Sequence, residues 1–404
     1  MLDYEREYGM KQSMNERRIA RALVMGIGLV GGVGGSAYGQ MSCVAPEFLG
    51  QYDTPSQSYG VELVGNIAYV GDWDAGMQII DVTDPMAPAF LGSYTAPAHT
   101  WEVSVVGSVA YLAAREDGIH VVDVSDPASP SFLSSYSPPG WVYGIQVVGT
   151  TAYAACLTEG LQIIDVTDTG ASALIGSYDT PGNAIDVFVL NGRAYVVDGV
   201  AGLMVFDVSA SVMPNPVLLG TYATPDSAKD VQVHALGSTL TAYVADAFGG
   251  GLQIIDVSNP ADMFLLGWHD TPGEAQSVDV DTGSMLAYVA DATGGLSIVD
   301  VSDPAAPVLV GLHDTYPNTY YGVVYRAGKA YMAATLAGLV ILDVDVACPC
   351  PADLTDDGVL DFFDISALLT AMGNGDLVAD FNNDGVLDFF DISAFLVAFG
   401  AGCP

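Results

Sequence analysis

Hydrophobic and polar positions in this chain follow one short sentence that recurs seven times. A β-branched segment ends in Gly, an Ala-Tyr segment follows, and a Gly-led apolar run closes on Asp-Val. The closing aspartates are Asp81, Asp123, Asp165, Asp207, Asp256, Asp300 and Asp343, at intervals of 42, 42, 42, 49, 44 and 43 residues. In the second copy the pattern predicts strands at 103–107, 110–114, 118–124 and 132–136. Alternation is modest and β-branched residues are dense, as expected of strands buried on both faces. Pro-rich joints such as 125–130 set turns and deny the ladder a donor. A period of this length with only strand-type segments inside it predicts an all-β fold, a ring of four-stranded sheets.

The count is asymmetric. A fourth-type segment at 48–52 precedes the first unit, and the seventh unit, ending at Asp343-Val344, has none after it. The N-terminal strand is therefore expected to complete the last blade, which leaves no open ring edge. The expected order from axis to rim is Val-x-Val, Ala-Tyr, Asp-Val, Phe-Leu-Gly. That order places Tyr59, Trp73, Trp101, Trp141, Tyr143, Tyr320, Tyr321, Arg115, Glu116 and Asp117 on one loop face, with Asp72, Asp198, Asp246 and Asp291 at equivalent points. Aromatics on an exposed loop face suit ligand contact; packing between blades is the competing reading. The aspartates read as strand-end carboxylates capping Gly-rich turns.

The runs Gly160-Leu161-Gln162-Ile163-Ile164-Asp165-Val166 and Ser297-Ile298-Val299-Asp300-Val301-Ser302-Asp303-Pro304 resemble the LVIVD repeat. The resemblance covers about 48–344. It implies a seven-bladed β-propeller of the secreted or cell-surface bacterial kind, with no catalytic residues to carry over.

From Cys350 the period changes. The loop 353–364 is matched 27 residues later by 380–391. Oxygen ligands at positions 1, 3 and 5, Gly at 6, a carbonyl at 7 and a carboxylate at 12 suit a seven-coordinate hard cation. One calcium ion is thus expected on Asp353, Thr355, Asp357, Val359, Asp361 and Asp364, and a second on Asp380, Asn382, Asp384, Val386, Asp388 and Asp391, with Asp361 and Asp388 acting through water. Each loop leads into a short amphipathic helix, with stripes Ile365, Leu368, Leu369, Met372 and Ile392, Phe395, Leu396, Phe399. The pair of loop–helix units, with Asp at position 12 and Gly402-Cys403-Pro404 at the end, resembles the dockerin module in its GC-type variant. The resemblance implies calcium-dependent folding and docking to a cohesin-like partner through loop positions 10 and 11, here Phe362, Phe363, Phe389 and Phe390. These depart from the small and hydroxyl residues usual there, and in so small a module they read as core before they read as docking residues.

Arg17, Arg18 and Arg21 precede an apolar run from Ala22 to about Gly35, then Ala37-Tyr38-Gly39. This reads as a signal peptide over 1–39, with Met14 a possible start; a twin-arginine variant and an uncleaved anchor are the alternatives. The propeller is assigned to 40–347 and the calcium module to 348–404. The chain of 404 residues carries a net charge of −38. Beyond Gly39 only Arg115, Arg193, Lys229, Arg326 and Lys329 stand against 44 acids. Such a surface repels nucleic acid and anionic lipid and suits cations or neutral glycans. Export permits disulfides. Cys350 and Cys403 bracket the module, and a bridge there contributes about 4 kcal/mol. Cys43 and Cys348 flank the ring closure and form the second expected pair, which leaves Cys156 as a buried free thiol.

No Gly-x-Ser-x-Gly or His-Glu-x-x-His motif is present. His269 and His313 occupy a repeat position that other blades fill with Tyr. The reading is an exported, non-catalytic binding protein for a protein or glycan ligand. A carbohydrate-active hydrolase carried on its dockerin and a structural surface protein are the alternatives.

Overall fold

The computed structural model describes residues 46–96, 98–210, 214–237, 239–313, 319–345, 352, 354–355, 362–381 and 386–401. The expected signal segment, the four paired cysteines Cys43, Cys348, Cys350 and Cys403, and the loop residues Asp353, Asp357, Val359, Asp361, Asn382 and Asp384 lie outside the described residues.

Each repeat folds into a four-stranded antiparallel sheet, and seven such sheets are present among the described residues. The first blade runs β2 (Ser58–Val64), β3 (Ile67–Asp72), β4 (Gly76–Asp81) and β5 (Ala89–Tyr94), paired in sequence order. Later blades repeat this order, with inner strands β6 (Glu102–Val106), β10 (Gly144–Val148), β14 (Asp186–Leu190), β18 (Ser227–Leu236), β22 (Ser277–Asp281) and β26 (Tyr320–Arg326). The seventh blade is completed by β1 (Glu47–Tyr52), which pairs with β28 (Gly338–Asp343) in the register Glu47↔Asp343 to Tyr52↔Leu339. The expected closure of the ring by the N-terminal strand is therefore present.

Seven apolar layers stand in for a single core, one between each pair of neighbouring blades. Tyr111, Ile119 and Val121 of the second blade meet Ile145, Val147 and Ala152 of the third. Leu339 and Ile341 of the seventh meet Leu63, Val70 and Ile80 of the first. Every Ala-Tyr pair is buried, because Ala and Tyr point into the layers on opposite faces of their blade.

The recurrent polar letters have local causes. Each closing aspartate accepts the N–H two residues on, as in Asp81 to Thr83 at 2.8 Å and Asp300 to Ser302 at 2.8 Å. These Asx turns end the third strand. The glycine leading that strand has positive φ, +77° at Gly76 and +83° at Gly202. A Cβ there would also strike the carbonyl of the outermost strand, Tyr94 and Tyr222 respectively.

The C-terminal region holds two helices, α1 (Phe362–Asn374) and α2 (Phe389–Ala401). Their shared core is narrower than the expected stripes. Leu368 and Phe395 are buried, with Ile365, Met372, Ile392 and Phe399 against them, whereas Leu369 and Leu396 face solvent. Phe362, Phe363, Phe389 and Phe390 are also exposed, at 66–74%. The core reading of these four is corrected: in the first turn of each helix they lie off the buried stripe, and Phe381 takes the place beside Phe395, with ring centroids at 5.2 Å.

Candidate functional site: an aromatic rim over an acidic channel

The loops entering the inner strands and those leaving the second strands meet at one mouth of the ring. There Tyr59 lies between rings from three other segments: Trp101 stacks on it at 4.3 Å, Tyr321 stands edge-on at 4.8 Å, and Trp73 is tilted at 5.0 Å. Trp101 continues to Tyr143 at 4.8 Å, and Trp73 stacks on His99 at 4.2 Å. His99 Nδ1 lies 2.9 Å from an Asp74 carboxylate oxygen.

Arg115 extends the rim. Its guanidinium carbon sits 4.8 Å over Trp73, 4.6 Å over Trp141 and 5.2 Å over Tyr143. Its Nε is buried with no hydrogen-bond partner. Trp73 and Arg115 adopt positive φ, 20° and 40°. Leu157 and Ala292 do so at equivalent turns, so this strain belongs to the repeat. Of the residues expected on this face, Tyr59, Trp73, Trp101, Trp141, Tyr143, Arg115 and Tyr321 thus come together. Tyr320 does not: it is fully buried between the sixth and seventh blades, because adjacent strand residues point to opposite sides.

Asp72, Asp198, Asp246 and Asp291 face neither ligand nor solvent. Each is fully buried and accepts the hydroxyl of a threonine arriving from the preceding blade: Thr54, Thr180, Thr224 and Thr271. Burial raises their pKa and these hydrogen bonds lower it, with the rise prevailing. The carboxylates do cap, but they cap the incoming loop.

Beneath the rim a cavity of about 250 Å3 is walled by the inner strands, with Tyr59, Trp101 and Tyr321 at its mouth and Glu62, Glu102, Asp186 and Asp230 inside. Sequence reasoning missed these acids. Each inner strand is a sheet edge with unpaired N–H groups, and the preceding blade caps several of them. The Val105 N–H donates to Glu62 at 2.7 Å, the Ile145 N–H to Glu102 at 2.9 Å and the Val278 N–H to Asp230 at 2.8 Å. Ser104 and Gln146 accept from Val147 and Val189 in the same way. Burial pushes Glu62 up to about 7 and Glu102 up to about 8, the latter aided by the nearby Asp230 and Glu62 charges. Asp186 is raised well above the ordinary value by burial and by Glu102 and Asp230. The available signal was an acid in inner-strand positions that other blades mostly fill with uncharged residues such as Gly60, Gly144, Ser104 and Gln146.

Among the expected calcium ligands, Asp364 and Asp391 are fully buried. Thr355 donates to Asp364 through its N–H at 3.1 Å and its hydroxyl at 3.0 Å, so loop position 12 reaches position 3. The Asp388 N–H donates to Asp391 at 2.8 Å. Asp380 is partly buried, Val386 is exposed, and residues 346–404 include no Lys, Arg or His. Cys156 is a buried free thiol, and its burial pushes its pKa up to about 12. Among the described residues no helix is long and apolar enough to cross a membrane.

Comparison with known proteins agrees with this architecture. Two solved structures are similar in fold alone. The computationally designed Ika8 protein is 10% identical, with a TM-score of 0.54 over 74% of this chain and 99% of its own. The RRP9 WD40 repeats are 8% identical, with a TM-score of 0.58 over 75% and 99%. No curated protein matches the chain. The LVIVD repeat profile matches residues 57–96, 97–137, 139–180, 181–224, 241–271 and 272–315. The matches begin with the first contiguous blade and omit the blade built from both chain ends. With six copies over more than half of its length, the chain belongs to the LVIVD repeat family.

Proposed function

We propose that this is an exported, non-catalytic binding protein whose aromatic rim takes a protein or glycan ligand. The observation that carries the reading is the rim itself. Rings from several separate segments converge beside Arg115 at the open mouth of the channel, and Trp141 remains 46% exposed. Stacked indole and phenol rings present large contact area at low entropy cost. Glu62, Glu102 and Asp230 each accept a strand N–H on one oxygen, so capping accounts for part of what the channel acids do. Export and a secreted or cell-surface location are supported by the basic–apolar–small order over 17–39 and by the acidity of the chain beyond residue 39.

The C-terminal module, in this reading, holds two calcium ions and tethers the propeller to a cohesin-like partner or another surface protein. Asp364 and Asp391 are buried carboxylates in a region without any cationic side chain, and a metal ion supplies the missing charge. The exposed Phe362-Phe363 and Phe389-Phe390 pairs are the apolar groups that such docking would cover.

Glycan arrays and pulldown from extracellular fractions test the rim. Trp101→Ala and Trp141→Ala are expected to weaken capture at least ten-fold with the melting temperature nearly kept. Undiminished capture by both variants rejects the rim as the binding surface.

A further inference from the structure

We infer that the channel beneath the rim receives an organic cation, an ammonium or guanidinium group on an extended stem; this deepens the ligand-binding reading of the rim and rests on it. Two kinds of cap serve the inner strands. Capping an inner-strand N–H requires only an acceptor, and Ser104 and Gln146 show that a neutral one suffices. Glu62, Glu102 and Asp230 do the same work with an ionisable group, and Asp186 joins them in the same cavity. Replacing a neutral acceptor with a buried carboxyl brings a desolvation cost that capping does not offset.

The surroundings leave these groups short of positive charge. Asp279 adds a further acid to the set facing Asp230. The cations near them are Lys229, which lines the cavity and also faces Asp246, and Arg326, which acts on Glu62. Glu62 and Glu102 stay high despite their hydrogen bonds, which a cation in the cavity would reverse. Among the described residues no three His, Cys, Asp or Glu side chains are placed to hold a metal ion. The acids are spread around a wall, which fits a polyatomic cation better than a point charge.

The mouth carries the second, independent observation. Tyr59, Trp101 and Tyr321 offer ring faces and edges at the entrance, the surroundings that cations favour when they leave water. The same rim already holds a guanidinium on aromatic faces, that of Arg115. A volume of about 250 Å3 accommodates such a head group with part of its stem.

The test titrates the full chain with n-butylguanidinium chloride at pH 8.5, reading tryptophan fluorescence, with n-butylurea as the uncharged isostere. Saturable quenching by the guanidinium is expected, at least ten-fold tighter than by the urea. Glu102→Gln, which keeps an acceptor for Ile145, is expected to weaken it at least ten-fold, and Trp101→Phe by less. A Gly-Arg-Gly peptide amide that binds more tightly than n-butylguanidinium identifies a protein side chain as the source of the cation; weaker binding identifies a free small molecule. Equal affinity for guanidinium and urea, no saturation, or an unchanged Glu102→Gln variant overturns the inference. If the cation fails while Trp101→Ala still abolishes glycan or protein capture, the channel proposal falls and the rim reading stands.

Discussion

Asp198 and Thr180 show how one side chain's environment is written twice in the chain. The Thr180 hydroxyl donates to Asp198 at 2.6 Å and the Gly182 N–H at 2.7 Å, both out of water. Wherever the turn after the second strand starts with Asp, the incoming loop supplies Thr: Thr54 with Asp72, Thr224 with Asp246, Thr271 with Asp291. Where the turn has Ala114 or Cys156 instead, the loop supplies Ala96 or Pro138, and all four are buried. In these six blades polar meets polar or apolar meets apolar, because a lone buried polar group carries its full desolvation cost. Asp198→Ala should therefore cost about 2 kcal/mol in urea unfolding, by stranding Thr180 and Gly182. The double variant Thr180→Ala with Asp198→Ala should cost less than the sum of the single ones. Additivity within about 0.3 kcal/mol would reject the pairing. The sequence offered the Asp positions and their capping role. The pointer to Thr as the partner lay only in comparing one copy with the next, since the two residues lie on different blades and no spacing within one blade links them.

At the scale of elements, strands and their order were legible because period, Gly and Asp each have a local cause. The Asx turn and the positive-φ glycine are set within a few residues of where they act. The helices were legible in position but not in facing. A stripe drawn at helical spacing included Leu369 and Leu396, yet a two-helix core of this size covers only Leu368, Ala371, Phe395 and their near neighbours. Such a small core makes the region dependent on further stabilisation. On the calcium reading, adding a chelator to the full chain should remove a low-temperature transition or move it down by more than about 10 °C. Far-ultraviolet helix signal should be lost with it, while the propeller's transition stays. An unmoved melt with and without chelator would reject the two-ion assignment.

The whole molecule brings together groups that no element holds by itself. Glu62, Glu102 and Asp186 come from the first, second and fourth blades and share one cavity. An acid whose folded pKa stands above its unfolded value keeps its proton in the folded chain after the unfolded chain has lost it. That contribution is complete below the ordinary value of 4.5 and is lost as pH rises through the folded values of about 7 for Glu62 and about 8 for Glu102. The Asx-turn carboxylates run the other way. Hydrogen bonds from Thr83, Ser125 and Thr167 lower Asp81, Asp123 and Asp165, and their contribution disappears as pH falls below the ordinary Asp value of 3.8. Stability should peak near pH 5 and decline to pH 8. Glu102→Gln should flatten that decline in thermal melts at fixed salt; a melting temperature that rises from pH 5 to 8 would contradict the burial of these acids.

By itself the sequence determined the repeat, the number of blades, the strand order and the closure by β1, because each is set by periodicity and by turn chemistry acting over a few residues. It also set the loop face on which the aromatics gather. Only the tertiary structure decided which of them meet: Tyr59, Trp73, Trp101 and Tyr321 form one surface, while Tyr320, one residue from Tyr321, is sealed between blades. It also decided that the inner-strand acids share a cavity. Both outcomes depend on the direction of a side chain relative to a neighbouring blade, and that direction is fixed when the ring closes.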